Sequence, residues 1–147
     1  MPLLVDGDNL LGTWPGRQRS DAERRQLAME LGRHAARARR RVVVVFDGSA
    51  PPASAFGQGV LFSGPGRTAD DVILEFLRGQ ADRRGWTVVT SDRSLGDQCR
   101  YLEARVERCD RFRGRLRGGA VAEKPDREED LDFWLEQFGN GEDPAPD

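Results

Sequence analysis

The chain has 147 residues, 37 % hydrophobic and 33 % charged, with a formal net charge of -2. That length encloses one domain with a real core, and two cysteines are too few for a disulfide scaffold or a zinc site. No apolar stretch approaches the roughly 20 residues that cross a bilayer, and no leader-like segment precedes the first strand-like run, so the expectation is a soluble cytoplasmic protein with free thiols at Cys99 and Cys109.

Leu3-Leu4-Val5 reads as a short buried strand ending at Asp6. Ser20 followed by Glu23 forms a capping box and opens a helix that continues through Leu27, Leu31 and His34 to about Arg39. "RVVVVFD", 41 to 47, is a β-branched run of the kind buried on both faces of a sheet, and "GVLFS", 59 to 63, supplies a further short strand. Thr68 opens a second helix, in which Ala69, Val72, Ile73, Phe76 and Leu77 repeat at helical spacing. "WTVVTSD", 86 to 92, is another buried strand, "SLGDQCRYLEA" a short helix, and "ARVERCD" one more strand. Strands alternating with helices predict an α/β fold, a three-layer sandwich around a mainly parallel sheet.

From Gly118 the composition changes. Residues 1 to 119 carry 21 arginines against 15 acids, whereas residues 120 to 147 carry two basic residues against ten acids. The domain is therefore expected to span 1–117. Residues 118–147 are expected to hold a linker, an acidic amphipathic C-terminal helix marked by Leu131, Trp134, Leu135 and Phe138, and a disordered end. That helix is expected to dock on the body or on a protein partner.

The acids are scattered in sequence yet equivalent in architecture. Asp6, Asp47 and Asp92 each end a strand, and Asp70 and Asp71 open a helix, so all five belong at the carboxyl edge of the sheet, where open α/β folds bind ligands. Clustered anions raise one another's pKa, and a hard divalent cation relieves the repulsion. Each acid also has a plain structural explanation: Asp70 and Asp71 suit a helix N-terminus, and Asp47 before Gly48 suits a turn. Asn9, Thr90 and Ser91 lie where they can orient a carboxylate or satisfy the backbone. The single histidine, His34, is mid-helix and remote in sequence, which disfavours histidine acid/base chemistry.

"LLVDGDNLLGTWP", "VVVVFDG", "GRTADDVILEFL" and "VVTSDRSL", in that order, resemble the YacP-like group of NYN domains in the PIN-like nuclease superfamily. The resemblance covers about residues 3 to 117, including "RFRGRL". It implies a metal-dependent endoribonuclease using Mg²⁺ or Mn²⁺, with RNA as partner; messenger RNA and association with the ribosome are left open, and no membrane is implied. Carried over by position, it gives Asp6, Asp70, Asp71 and Asp92 as catalytic and metal-binding acids, with Asp97, one helical turn on, either a further metal ligand or a solvated surface residue. Asn9, Asp8, Asp47, Thr90 and Ser91 support them. The family commonly has tyrosine where this chain has Asp8, so the hallmark here reads D-G-D-N; the extra carboxylate either alters metal binding or leaves it untouched.

Two alternatives stand beside the nuclease. "LLVDGDNL" also matches the hhhDxD start of haloacid-dehalogenase-like phosphatases, in which the second aspartate, here Asp8, is an acid/base; the later motifs of that class fall in the wrong order, and the only lysine is Lys124. The other alternative is an inactive RNA-binding adaptor. For nucleic acid, the candidate contacts are Arg67, the "ARARRR" run at 36 to 41, and Arg111, Arg113 and Arg115. In an extended segment these last three would project from one side, with Phe112 stacking on a base.

Overall fold

The structure, a computed structural model, describes residues 1–51 and 59–122, with side chains to Leu116. Five strands, β1 (Leu3–Asp6), β2 (Val42–Phe46), β3 (Val60–Phe62), β4 (Thr87–Val89) and β5 (Arg105–Glu107), form one sheet in the order β3-β2-β1-β4-β5. Every pairing is parallel, including Leu3 opposite both Val42 and Thr87. The α-helices of the described residues are α1 (Gly7–Gly12), α2 (Asp21–Ala38), α3 (Ala69–Arg78), α4 (Arg93–Tyr101) and α5 (Cys109–Ala122). The expected α/β architecture is present, with one addition: α1 follows β1 without an intervening loop.

Leu4, Val43, Val45 and Val88 point to one face of the sheet, where Ile73, Leu74 and Leu77 of α3 and Leu95 and Cys99 of α4 cover them. Each fully buried aliphatic side chain here contributes about 1.5–3 kcal/mol. Trp86 and Phe76 close one end of this layer edge to face, their rings 4.9 Å apart at 79°. Alternate strand residues, Leu3, Val5, Val44 and Phe46, are equally dry on the opposite face, where α1 and α2 pack over β2.

Helix starts are specified locally. The Ser20 hydroxyl accepts from Glu23 N–H at 3.1 Å to open α2. Thr68 and Asp71 form a reciprocal capping box at α3, at 3.2 and 3.1 Å. Since all strands run the same way, the starts of α1, α3 and α4 gather at the carboxyl edge of the sheet. The chain leaves β1 for β2 on one side and later places β4 on the other, so the crevice between the ends of β1 and β4 is the switch point at which such sheets accept ligands.

Residues 1–110 form one compact unit, and a second begins at Arg111. α5 runs through Ala122, so helix occupies the segment from Gly118 where the composition predicts a linker, and "RFRGRL" is helical rather than extended. At 3.6 residues per turn, Arg113 lies about 200° around the helix from Arg111 and Arg115, so the three do not share a side. The acidic helix expected around Trp134 and the docking proposed for it lie outside the described residues. Among the described residues, no helix is long and apolar enough to cross a membrane.

Candidate active site at the carboxyl edge of the sheet

Asp6 is the last residue of β1, 4 % exposed, and Thr90 follows β4 at 1 % exposed. The Thr90 hydroxyl donates to Asp6 Oδ2 at 2.9 Å, with Asn9 Oδ1 a second acceptor at 3.3 Å, and it accepts from Asp92 N–H at 3.1 Å. Asn9, on α1, also receives Ser91 N–H at 2.7 Å and the Cys109 thiol at 3.3 Å on the same Oδ1. The Ser91 hydroxyl in turn accepts from Cys109 N–H at 2.9 Å. Asn9, Thr90 and Ser91 thus join the two strand ends and fix where Asp6 and Asp92 sit.

Burial pushes the Asp6 carboxyl up to about 7; the Thr90 hydroxyl opposes that rise, and the negative charges of Asp70 and then Asp47 add to it. Asp70 is raised as well, first by burial and then by the charges of Asp92, Asp47 and Asp71. Four carboxylates from three strand ends and one helix start therefore act on one another as a single electrostatic unit, as their shared position at the rim predicts. Two of them serve helices at the same time: Asp92 Oδ1 accepts from Leu95 N–H at 3.1 Å to cap α4, and Asp47 Oδ1 accepts from Ala69 N–H at 2.7 Å. For these residues the structural and chemical explanations are not exclusive, because one oxygen starts a helix while the charge stays at the rim.

The other acids separate from this group. Asp71, exposed, accepts Thr68 N–H on Oδ2 in the capping box, so one oxygen serves the helix while its charge stays beside Asp70. Asp97 is 71 % exposed and its carboxylate faces Arg100 at 3.4 Å, an ion pair on the surface of α4. Asp8 turns inward. Arg24 Nε and Nη2 grip its two oxygens at 2.9 and 3.1 Å, and Asp47 N–H donates to Oδ2 at 2.8 Å. The phosphatase alternative loses its acid/base there, because this carboxylate is 5 % exposed and locked in a bidentate ion pair.

Gly7 explains why the hallmark cannot be a run of larger residues. A Cβ there would lie 2.4 Å from Phe46 Cε1 and 2.9 Å from Val44 Cγ2. Its role, and those of Arg24 and Cys109, are missed by sequence reasoning; a glycine between two acids at a strand end was the available signal for the first. Burial foremost raises Cys109, and it pushes Cys99 up to about 12, so neither thiol is a ready nucleophile.

The arginines are less concentrated than expected. Arg67 is paired with Glu75 at 2.7 Å. Phe112 is 0 % exposed, which corrects its expected role as a base-stacking ring. Arg115 lies over that ring at 5.7 Å, and Arg111 is exposed. Arg39, Arg40 and Arg41 lie between α2 and β2, at the amino edge of the sheet, and so do not flank the carboxylates.

Among the described residues, no three His, Cys, Asp or Glu side chains close into a ready-made metal cage. The donors at the rim are nevertheless all oxygen, mutually repelling and partly dry, which fits Mg²⁺ or Mn²⁺, ions commonly held by one or two carboxylates plus water.

Comparison with known proteins agrees with this architecture. Two solved structures of Rae1 (YacP) from Bacillus subtilis superpose on the chain. The W164L mutant gives a TM-score of 0.67 at 23 % identity, covering 78 % of this chain and 74 % of that one. The other gives 0.68 at 22 %, covering 79 % and 73 %. No curated protein matches. The model of the YacP-like NYN domain matches residues 3–112. The chain therefore belongs to the YacP-like NYN family, an NYN domain of the PIN-like nuclease superfamily.

Proposed function

We propose that the protein is an endoribonuclease that hydrolyses RNA phosphodiester bonds with Mg²⁺ or Mn²⁺ held by Asp6, Asp70 and Asp92, directly or through water. The observation that carries this proposal is the state of Asp6: a buried carboxylate at the switch point, raised to about 7 by burial and by the charges of Asp70 and Asp47. The buried carboxylate of Asp8 is compensated by Arg24, whereas that of Asp6 is met by further acids, an arrangement that favours a cation as partner. The chemistry such an ion supplies when bound is a more acidic water and neutralisation of charge on the phosphodiester.

The chain's own groups divide the remaining work. Thr90 and Asn9 hold the Asp6 oxygens and the Ser91–Asp92 turn in one geometry, so the acids need not reorganise when substrate arrives. The N-termini of α3 and α4 face the same rim and moderate the repulsion among the acids. RNA as substrate class is supported by the family match.

The test is cleavage of a fluorescent single-stranded RNA by the full chain, with Mn²⁺ and with EDTA, for wild type, Asp6→Asn and Asp92→Asn. Cleavage that needs the ion and falls at least a hundredfold in both variants is expected. Full activity in either variant, or in EDTA, removes the assignment. Tight binding with no cleavage under any ion would favour the adaptor.

A further inference from the structure

The amino edge of the sheet carries a second feature that the carboxyl-edge chemistry does not use. There β1, β2 and β4 begin side by side. The segments before them, with the turn after α3, line a groove of about 450 Å³ that contains Arg39, Arg40, Arg41, Gln80, Asp82 and Trp86. Three guanidinium groups meet one carboxylate in it. Two are held in place: Arg40 Nε donates to the Met1 carbonyl at 2.7 Å, and Arg41 lies over the rings of Trp86 and Phe76 at 5.4 and 5.8 Å. A preorganised guanidinium loses little freedom on meeting an anion.

Arg39 supplies an independent observation. It ends α2 in the left-handed conformation, φ 53° and ψ 50°, the position at which glycine is the usual residue because it has no Cβ to strain. Among the described residues, no hydrogen bond or ion pair engages its guanidinium. Arg39 therefore brings an exposed guanidinium with no carboxylate of its own to the groove, where an anion can meet it.

We infer that this groove binds phosphates of a nucleic acid strand, as a contact separate from the carboxylate rim. The five residues of β2 put the two edges of the sheet roughly 15–20 Å apart, so a strand engaged at the rim has to continue around the domain to reach it. The inference rests on the nuclease reading only for the choice of polymer, and its test needs no cleavage.

The experiment is equilibrium binding of a labelled 20-nucleotide single-stranded RNA in EDTA, over a range of salt, to wild type and to Arg39→Gly/Arg41→Gln. The pair of substitutions is expected to weaken binding about tenfold at low salt and to reduce the slope of log K against log salt by roughly 1.4, two phosphates at about 0.7 each. Arg39→Gly alone relieves the left-handed strain, so its thermal midpoint is expected to hold or rise while its affinity falls; this separates lost contact from lost fold. Arg33→Gln/Arg100→Gln removes the same charge elsewhere on the domain and is expected to change binding little. An equal loss in that control, or unchanged affinity and slope in the groove variants, would overturn the inference. So would displacement of the RNA by inorganic tripolyphosphate at equal phosphate concentration, which would assign the groove to a small anion.

Discussion

The hydroxyl of Thr90 reaches the carboxylate of Asp6 at 2.9 Å across 84 residues of sequence. Two neighbouring strand ends are thereby fastened through the side chain that carries the most perturbed carboxyl at the rim. Thr90→Val keeps the shape and removes the donor. It is expected to raise the Asp6 pKa further and to lower cleavage about ten- to a hundredfold, with the acidic limb of the pH–rate profile moving to higher pH. A profile that stays in place at lowered activity would show that Thr90 acts on something other than Asp6.

Asp6 also sets a pH dependence of stability in the absence of metal. Its folded pKa, about 7, lies above the ordinary value of 3.8, so the native state holds the proton more tightly than the unfolded chain. The contribution of this group to stability is therefore full below about pH 4, falls as pH rises to the folded pKa, by at most about 4 kcal/mol in all, and is level above it. In urea denaturation with EDTA, Asp6→Asn is expected to flatten this decline and to exceed wild type at pH 8. Saturating Mg²⁺ should reverse the order, since only wild type gains a ligand.

Asp8 and Arg24 form a pair of the opposite kind, with side-chain exposures of 5 % and 18 %. Arg24→Met leaves an uncompensated buried charge and is expected to cost about 3–5 kcal/mol. The double substitution Asp8→Asn/Arg24→Met should recover part of that loss. Additive losses in a denaturation cycle would show that the two side chains do not depend on each other.

Gly7→Ala places a methyl within 2.4 Å of the Phe46 ring. The expected cost is about 1–3 kcal/mol, and Phe46→Leu in the same chain should reduce it by opening space. A Gly7→Ala protein as stable as wild type would mean that the ring moves freely.

The order of strands and helices was legible from "LLV", "VVVVF" and "TVV", because strands buried on both faces must be continuously apolar. The α3 start was legible too, from Thr68 and the helical repeat after it, but the capping box expected at Ser20 and Glu23 is only half made, because the Glu23 carboxylate pairs with Arg17. What could not be read was direction. Nothing local distinguishes Asp6, which stays at the rim, from Asp8, which meets Arg24 sixteen residues on. That difference appears only when α2 packs beside α1. Alternating arginines in "RFRGRL" would share one side only in an extended segment, and the backbone there is helical. Nor does the sequence say which edge the arginine run at 36 to 41 reaches: α2 travels the length of the sheet and delivers it to the edge away from the acids.

The direct junction of β1 and α1 bears on which changes this family member can accept. A substitution at the rim exchanges one side chain, but one inserted residue after Asp6 would rotate α1 by about 100° and carry Asp8 and Asn9 away from Arg24 and Ser91 together. Length at this corner therefore matters as much as the identities of Asp6, Gly7 and Asn9, and an insertion is better accommodated in the loops elsewhere.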